Sequence, residues 1–109
     1  MMAVTPITGG TMSIDVVAVI TAKPGSEDAV REALRGLVAP TREEAGCLGY
    51  DLSESAAAPG TFVTVEKWND PSDLDLHMQT PHIQSALAVL GSELAAAPAI
   101  HPLKPLVVG

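Results

Sequence analysis

Residues Val16 to Ile20 form an unbroken apolar run, VVAVI, inside the segment Ile14 to Thr21, and no other stretch constrains the fold as strongly. The segment is rich in β-branched residues and lacks Pro and Gly, the pattern of a strand. Successive side chains of a strand point to opposite faces of the sheet, so a strand that is apolar at every position must be covered twice. One cover can come from the chain's own helices. The other has to come from elsewhere, and a second subunit is the expected source. The run is far shorter than the ~18 apolar residues that suggest a membrane span, and no membrane role is expected.

Pro24-Gly25 breaks the chain after this strand. Ser26 is placed to cap a helix whose first turn carries Glu27 and Asp28, favourable beside the positive end of the helix dipole. Val30, Ala33, Leu34, Leu37 and Val38 recur at helical spacing and define its core face. Pro40 would remove an internal hydrogen bond, so the segment to Glu44 reads as a kinked continuation or a second short turn. Gly46 to Glu54 and Thr61 to Trp68 are strand candidates joined by the turn-rich stretch Ser55 to Gly60, a long hairpin. Asp70-Pro71 and Thr80-Pro81 each read as an N-cap followed by proline at the first helical position. The first opens a helix to about Met78, and the second opens one with Ile83, Ala86, Leu87, Leu90 and Leu94 on one stripe, limited by Pro98. Leu103 to Val108 reads as a last strand, confined by Pro102 and Pro105 to an edge or a subunit boundary. The order strand, helix, strand, strand, helices, strand is that of a ferredoxin-like α+β fold, an antiparallel sheet with helices on one face.

A chain of 109 residues makes one domain, expected over residues 14–109, with residues 1–13 a loose extension and Met12 a candidate natural start. Those first residues have neither a basic n-region nor an apolar h-region and do not read as a signal peptide. Six basic against 13 acidic side chains give a formal charge of −7, which disfavours nucleic acid and anionic lipid. Cys47, the single cysteine, can close no intramolecular disulfide and points to a reducing, cytoplasmic setting.

Phosphate loops, dinucleotide-binding glycine patterns, zinc-protease helices and serine-nucleophile turns do not occur in the sequence. Whatever chemistry occurs uses few groups. With only one Trp, one Tyr and one Phe in the chain, Trp68 at a strand end draws attention, together with Glu66 two residues before it and His77 and His82 on the helical segments that follow. A strand end and the next helix can converge on one pocket between the layers, and Tyr50 on the second strand could join them. Each has a plainer reading: Trp68 as core packing, Glu66 as a surface strand charge, His77 as a satisfied structural histidine, and His82 as an exposed first-turn residue. Glu66, His77 and His82 carry metal-ligating atoms but lack a compact ligand spacing, and no metal is expected. Cys47 is most simply a small buried hydrophobe.

The runs AKPGSEDAVREAL (22–34), EEAGCLGYDL (43–52) and VTVEKWNDPSDLDLHMQTPHI (63–83) resemble the antibiotic biosynthesis monooxygenase family, and in particular its quinol monooxygenase branch. The resemblance covers most of residues 14–108. Its specific parts are the EAGCLGY turn, the Glu-x-Trp strand end and the His-x-x-Thr-Pro-His segment. It implies a dimeric ferredoxin-like α+β barrel that binds small aromatic compounds between sheet and helices and often oxidises them with dioxygen, without metal or flavin. The family's strand-end Trp matches Trp68 and its helix His matches His77. The asparagine that haem-degrading members use falls at Ala18, which disfavours haem.

The expectation is therefore a cytoplasmic homodimer acting as a cofactor-independent monooxygenase on a quinol or related polycyclic phenol. His77 would take the phenolic proton, since imidazole is the side chain best matched to neutral pH. Trp68 would form the wall, Glu66 or His82 would orient His77 or bond a substrate oxygen, and Tyr50 would complete the substrate site. The alternatives are a non-catalytic dimeric module holding a small aromatic, and an isomerase of a small metabolite using the same His77.

Overall fold

The structure is a computed structural model and describes residues 12–107; most of the expected N-terminal extension and the last residue of the expected final strand lie outside that range. The elements run β1 (Ile14–Thr21), α1 (Glu27–Arg42), β2 (Cys47–Glu54), β3 (Thr61–Trp68), α2 (Pro71–His77), α3 (Pro81–Leu90) and β4 (Ala99–Pro102). The strands form one sheet in the order β2-β3-β1-β4, with every pairing antiparallel. This is the ferredoxin-like α+β arrangement the element order implies. No described helix is long and apolar enough to cross a membrane.

The alternation of β1 divides the sheet as the sequence requires. Val16, Ala18 and Ile20 are buried, and their neighbours on the same face of β3 are Phe62, Thr64, Glu66 and Trp68, also buried. Val30, Leu34 and Leu37 of α1 and Ile83, Ala86 and Leu90 of α3 cover this face and complete the main core. A smaller cluster of Val16, Tyr50 and Trp68 continues it toward α2. On the opposite face Val17 stands across from Val65 and Val19 across from Val63. These four valines are only partly covered, and Val65 is 53% exposed.

Helix α1 continues through Pro40 to Arg42 without breaking. The carbonyl that proline leaves unpaired, that of Gly36, belongs to an exposed residue and is free to bond water. The last strand is displaced from its expected position: β4 is Ala99–Pro102 rather than a segment beginning at Leu103. Helix α3 ends at Leu90, and the chain turns early enough for Ala95 N–H to bond the Thr21 carbonyl. That brings Ala99 to Pro102 against the free edge of β1. Beyond them Leu103 N–H bonds the Asp15 carbonyl, and Pro105 has no N–H with which to extend the ladder.

Candidate functional site

Helices α2 and α3 are joined by a short turn that fixes two imidazoles. Asp70 caps α2 by accepting from Ser72 N–H, with Pro71 at the first helical position. Thr80 does the same for α3, accepting from Ile83 N–H ahead of Pro81. The Thr80 hydroxyl also donates to the His77 carbonyl at 2.8 Å. A single side chain thus ties the last residue of α2 to the first turn of α3, and with it the backbone of His77 to that of His82.

Between α1 and β2 the chain makes a tight turn. Glu44 N–H bonds the Thr41 carbonyl, and Cys47 N–H bonds the Glu44 carbonyl. Gly46 lies so close to Asp73 at the start of α2 that a Cβ there would overlap the Asp73 side chain. The glycine is what lets the turn approach α2, and the approach delivers the Glu44 carboxylate to the histidines. Its Oε2 lies 2.6 Å from His77 Nδ1 and 2.7 Å from His82 Nε2. His77 is 3% exposed at its side chain, Glu44 14% and His82 21%.

On the sheet, β3 supplies the second polar group. Glu66 is buried, with Oε1 accepting from Trp68 Nε1 at 2.9 Å and Oε2 from the Thr64 hydroxyl at 2.7 Å. The indole of Trp68 is fully buried and lies with its centre 4.7 Å from that of His77. Tyr50 of β2 stands directly across from Glu66 of β3, its ring centre 5.8 Å from that of His77. Burial, and then the neighbouring Glu66, push the Tyr50 phenol far above its ordinary value, so it is a neutral hydrogen-bonding group rather than a base. Burial also raises the Cys47 thiol, which is therefore not an activated nucleophile.

A cavity of about 60 Å³ lies between the sheet and the helices. Its walls are mainly aliphatic, from Ala18, Ile20, Leu34, Leu37, Ile83 and Leu90, and its polar groups are Tyr50, Thr64, Glu66 and His77. Leu87 and Ile100, 38% and 39% exposed, are the lining residues that reach furthest toward solvent. The sequence-predicted residues thus separate into two groups. Tyr50, Glu66 and His77 line the cavity. Trp68 and His82 do not: Trp68 lies behind, packed on His77 and bonded to Glu66, and His82 lies on the outer side, bonded to Glu44. The residue missed in the sequence reading is Glu44, although it belongs to the quoted EEAGCLGYDL run. An acidic residue two positions before a turn glycine was its only local signal.

The arrangement can perform proton transfer. With Nδ1 of His77 donating to Glu44, the lone pair is left on Nε2 of a ring that lines the cavity.

Comparison with known proteins agrees with this fold. The family model for "Antibiotic biosynthesis monooxygenase" matches residues 13–89. The chain is 35% identical over 96 residues to "Putative monooxygenase Rv0793" of Mycobacterium tuberculosis, covering 88% of this chain and 94% of that protein. It is 30% identical over 82 residues to "Probable quinol monooxygenase YgiN" of Escherichia coli, covering 66% and 79%. Among solved structures, PA3566 from Pseudomonas aeruginosa superposes with a TM-score of 0.81 at 36% identity, over 87% of this chain and 95% of that one. A family model that matches most of the chain, together with these relatives and this fold, leads to one assignment: the protein belongs to the antibiotic biosynthesis monooxygenase family.

Proposed function

We propose that the protein is a cofactor-independent monooxygenase that oxidises a small quinol or related phenol with dioxygen, working as a homodimer in the cytoplasm. The observation that carries this reading is the His77 imidazole, engaged by Glu44 at Nδ1 and lining a mainly aliphatic cavity. The name of the Escherichia coli relative supports the substrate class. The partly covered valines of the outer sheet face support the dimer, and the lone Cys47 fits a reducing compartment.

In this reading His77 Nε2 accepts a phenolic proton and Glu44 steadies the imidazolium so formed. The quinol anion passes one electron to dioxygen, and the resulting pair combines at a ring carbon to give a peroxide anion. That anion takes back the proton from His77. The ring-carbon proton and the distal hydroxyl then leave together as water, so one oxygen atom stays on the ring as a hydroxyquinone and the other departs. Substrate supplies all the electrons. In this reading Glu66 or Tyr50, both lining the cavity, hydrogen-bonds the second oxygen of the quinol, and Trp68 packs on the His77 ring.

The test is oxygen uptake by the full chain with a panel of hydroquinones and anthrols, repeated with His77→Ala. A general base is worth ~10²–10⁴-fold in rate, and a loss of that order is expected with the circular dichroism unchanged. Folded His77→Ala with undiminished activity per molecule would sink the assignment. Tight binding of a quinol without turnover would favour the binding module, and turnover without oxygen uptake the isomerase.

A further inference from the structure

We propose that Glu44, His77 and His82 form a binding site for one divalent transition ion of the zinc or cobalt type. The three side chains each offer a ligand atom, and these atoms all lie within 4.8 Å of one another. Two imidazoles and one carboxylate are the donor set that borderline ions of this kind accept. Both rings are aimed at the same oxygen, Glu44 Oε2, at 2.6 and 2.7 Å. Two separate hydrogen bonds have no need of a shared oxygen, whereas a single ion needs lone pairs that meet at one point. Ligands on a tetrahedral ion with bonds of ~2.0–2.1 Å stand roughly 3.3–3.4 Å apart, so each oxygen–nitrogen gap widens by less than an ångström while the two nitrogens, within 4.8 Å, close by up to about 1.4 Å, changes that side-chain rotations supply.

The supports of the three ligands are those of a built site. Glu44 is held by the turn hydrogen bonds on either side of it, and the two histidines are tied through Thr80. Partial exposure of His82 and Glu44 gives an ion a way in without unfolding. Three protein ligands leave a fourth position for water, and Glu66 is engaged by Trp68 and Thr64 and takes no part.

Occupancy changes the cavity. An ion on Nδ1 of His77 requires the proton there to move to Nε2, which turns that nitrogen from an acceptor into a donor on a ring that lines the cavity. A bound ion therefore switches off the base. This consequence rests on the reading of His77 as the base, while the binding itself does not.

The experiment is titration of the chelator-treated full chain with Co²⁺, followed by visible absorption and by calorimetry, with Zn²⁺ as competitor. One ion per chain is expected, with tetrahedral-type absorption that Zn²⁺ abolishes. Loss of even an outer partner of a metal ligand costs ~10–100-fold in affinity, so Glu44→Gln, His82→Ala and His82→Gln, each checked for native circular dichroism, should weaken binding at least that much. His101→Ala, on exposed β4, should leave it unchanged. Absence of Co²⁺ binding at millimolar concentration, or equal binding by the folded His82 variants, overturns the site. Co²⁺ bound at Glu44 and His82 with quinol oxidation undiminished would keep the site and overturn the base. Quinol oxidation that depends on His77, without any Co²⁺ binding, would do the reverse.

Discussion

His77 Nδ1 lies 2.6 Å from Glu44 Oε2, a contact made across 33 positions of sequence. A carboxylate there favours the proton on Nδ1 and leaves Nε2 as the acceptor. In Glu44→Gln the amide can bond either form of the ring, and the preference is lost. Quinol oxidation should fall by ~10²–10⁴-fold, mainly in kcat. Steady-state oxygen uptake with kcat and KM separated checks this, since a purely structural Glu44 would lower the amount of folded protein and leave kcat per folded molecule intact.

Trp68 is the last residue of β3 and its indole N–H is one of two donors to the buried Glu66. Trp68→Phe keeps most of the ring and removes the donor. An unsatisfied buried acceptor costs about 1–3 kcal/mol, expected as a lower urea midpoint at unchanged slope.

Val65 stands across from Val17 on the uncovered face of the sheet. If that face is the dimer contact, Val65→Lys places a charge in it on both subunits and should convert the protein to a folded monomer, read by sedimentation velocity. A dimer that survives this change would mean that the contact lies on another surface.

Glu54 accepts from Arg31 through both oxygens, at 3.0 and 2.9 Å, and from Gly60 N–H at 2.9 Å. These bonds, the Arg31 pairing foremost, hold its carboxyl below the ordinary 4.5. The folded value is the lower one, so the contribution to stability is present in full above about pH 4.5 and is lost as the pH falls through the folded value. Urea midpoints measured through the acid range should decline less steeply for Glu54→Gln than for the parent chain.

Much of this fold is written in local pattern. The apolar run of β1, the 3.6-residue stripe of α1 and the two proline-preceded caps place the strands and helices because each depends on neighbours in sequence. The last strand was misplaced for the opposite reason: Ala99 to Pro102 is a poor strand by composition, and it pairs only because β1 offers a free edge. The site divides in the same way. His77, Glu66 and Tyr50 were identifiable from residue type and position. Glu44 was not, because its role depends on a turn approaching a helix that begins 27 residues later, made possible by the missing side chain of Gly46.

The Thr80 hydroxyl, which joins the His77 carbonyl to the first turn of α3, makes α2 and α3 a single transplantable cassette. An engineer who lengthens the linker between them, or borrows one helix from a homologue without the other, will part the two imidazoles even if every amino acid named above is retained.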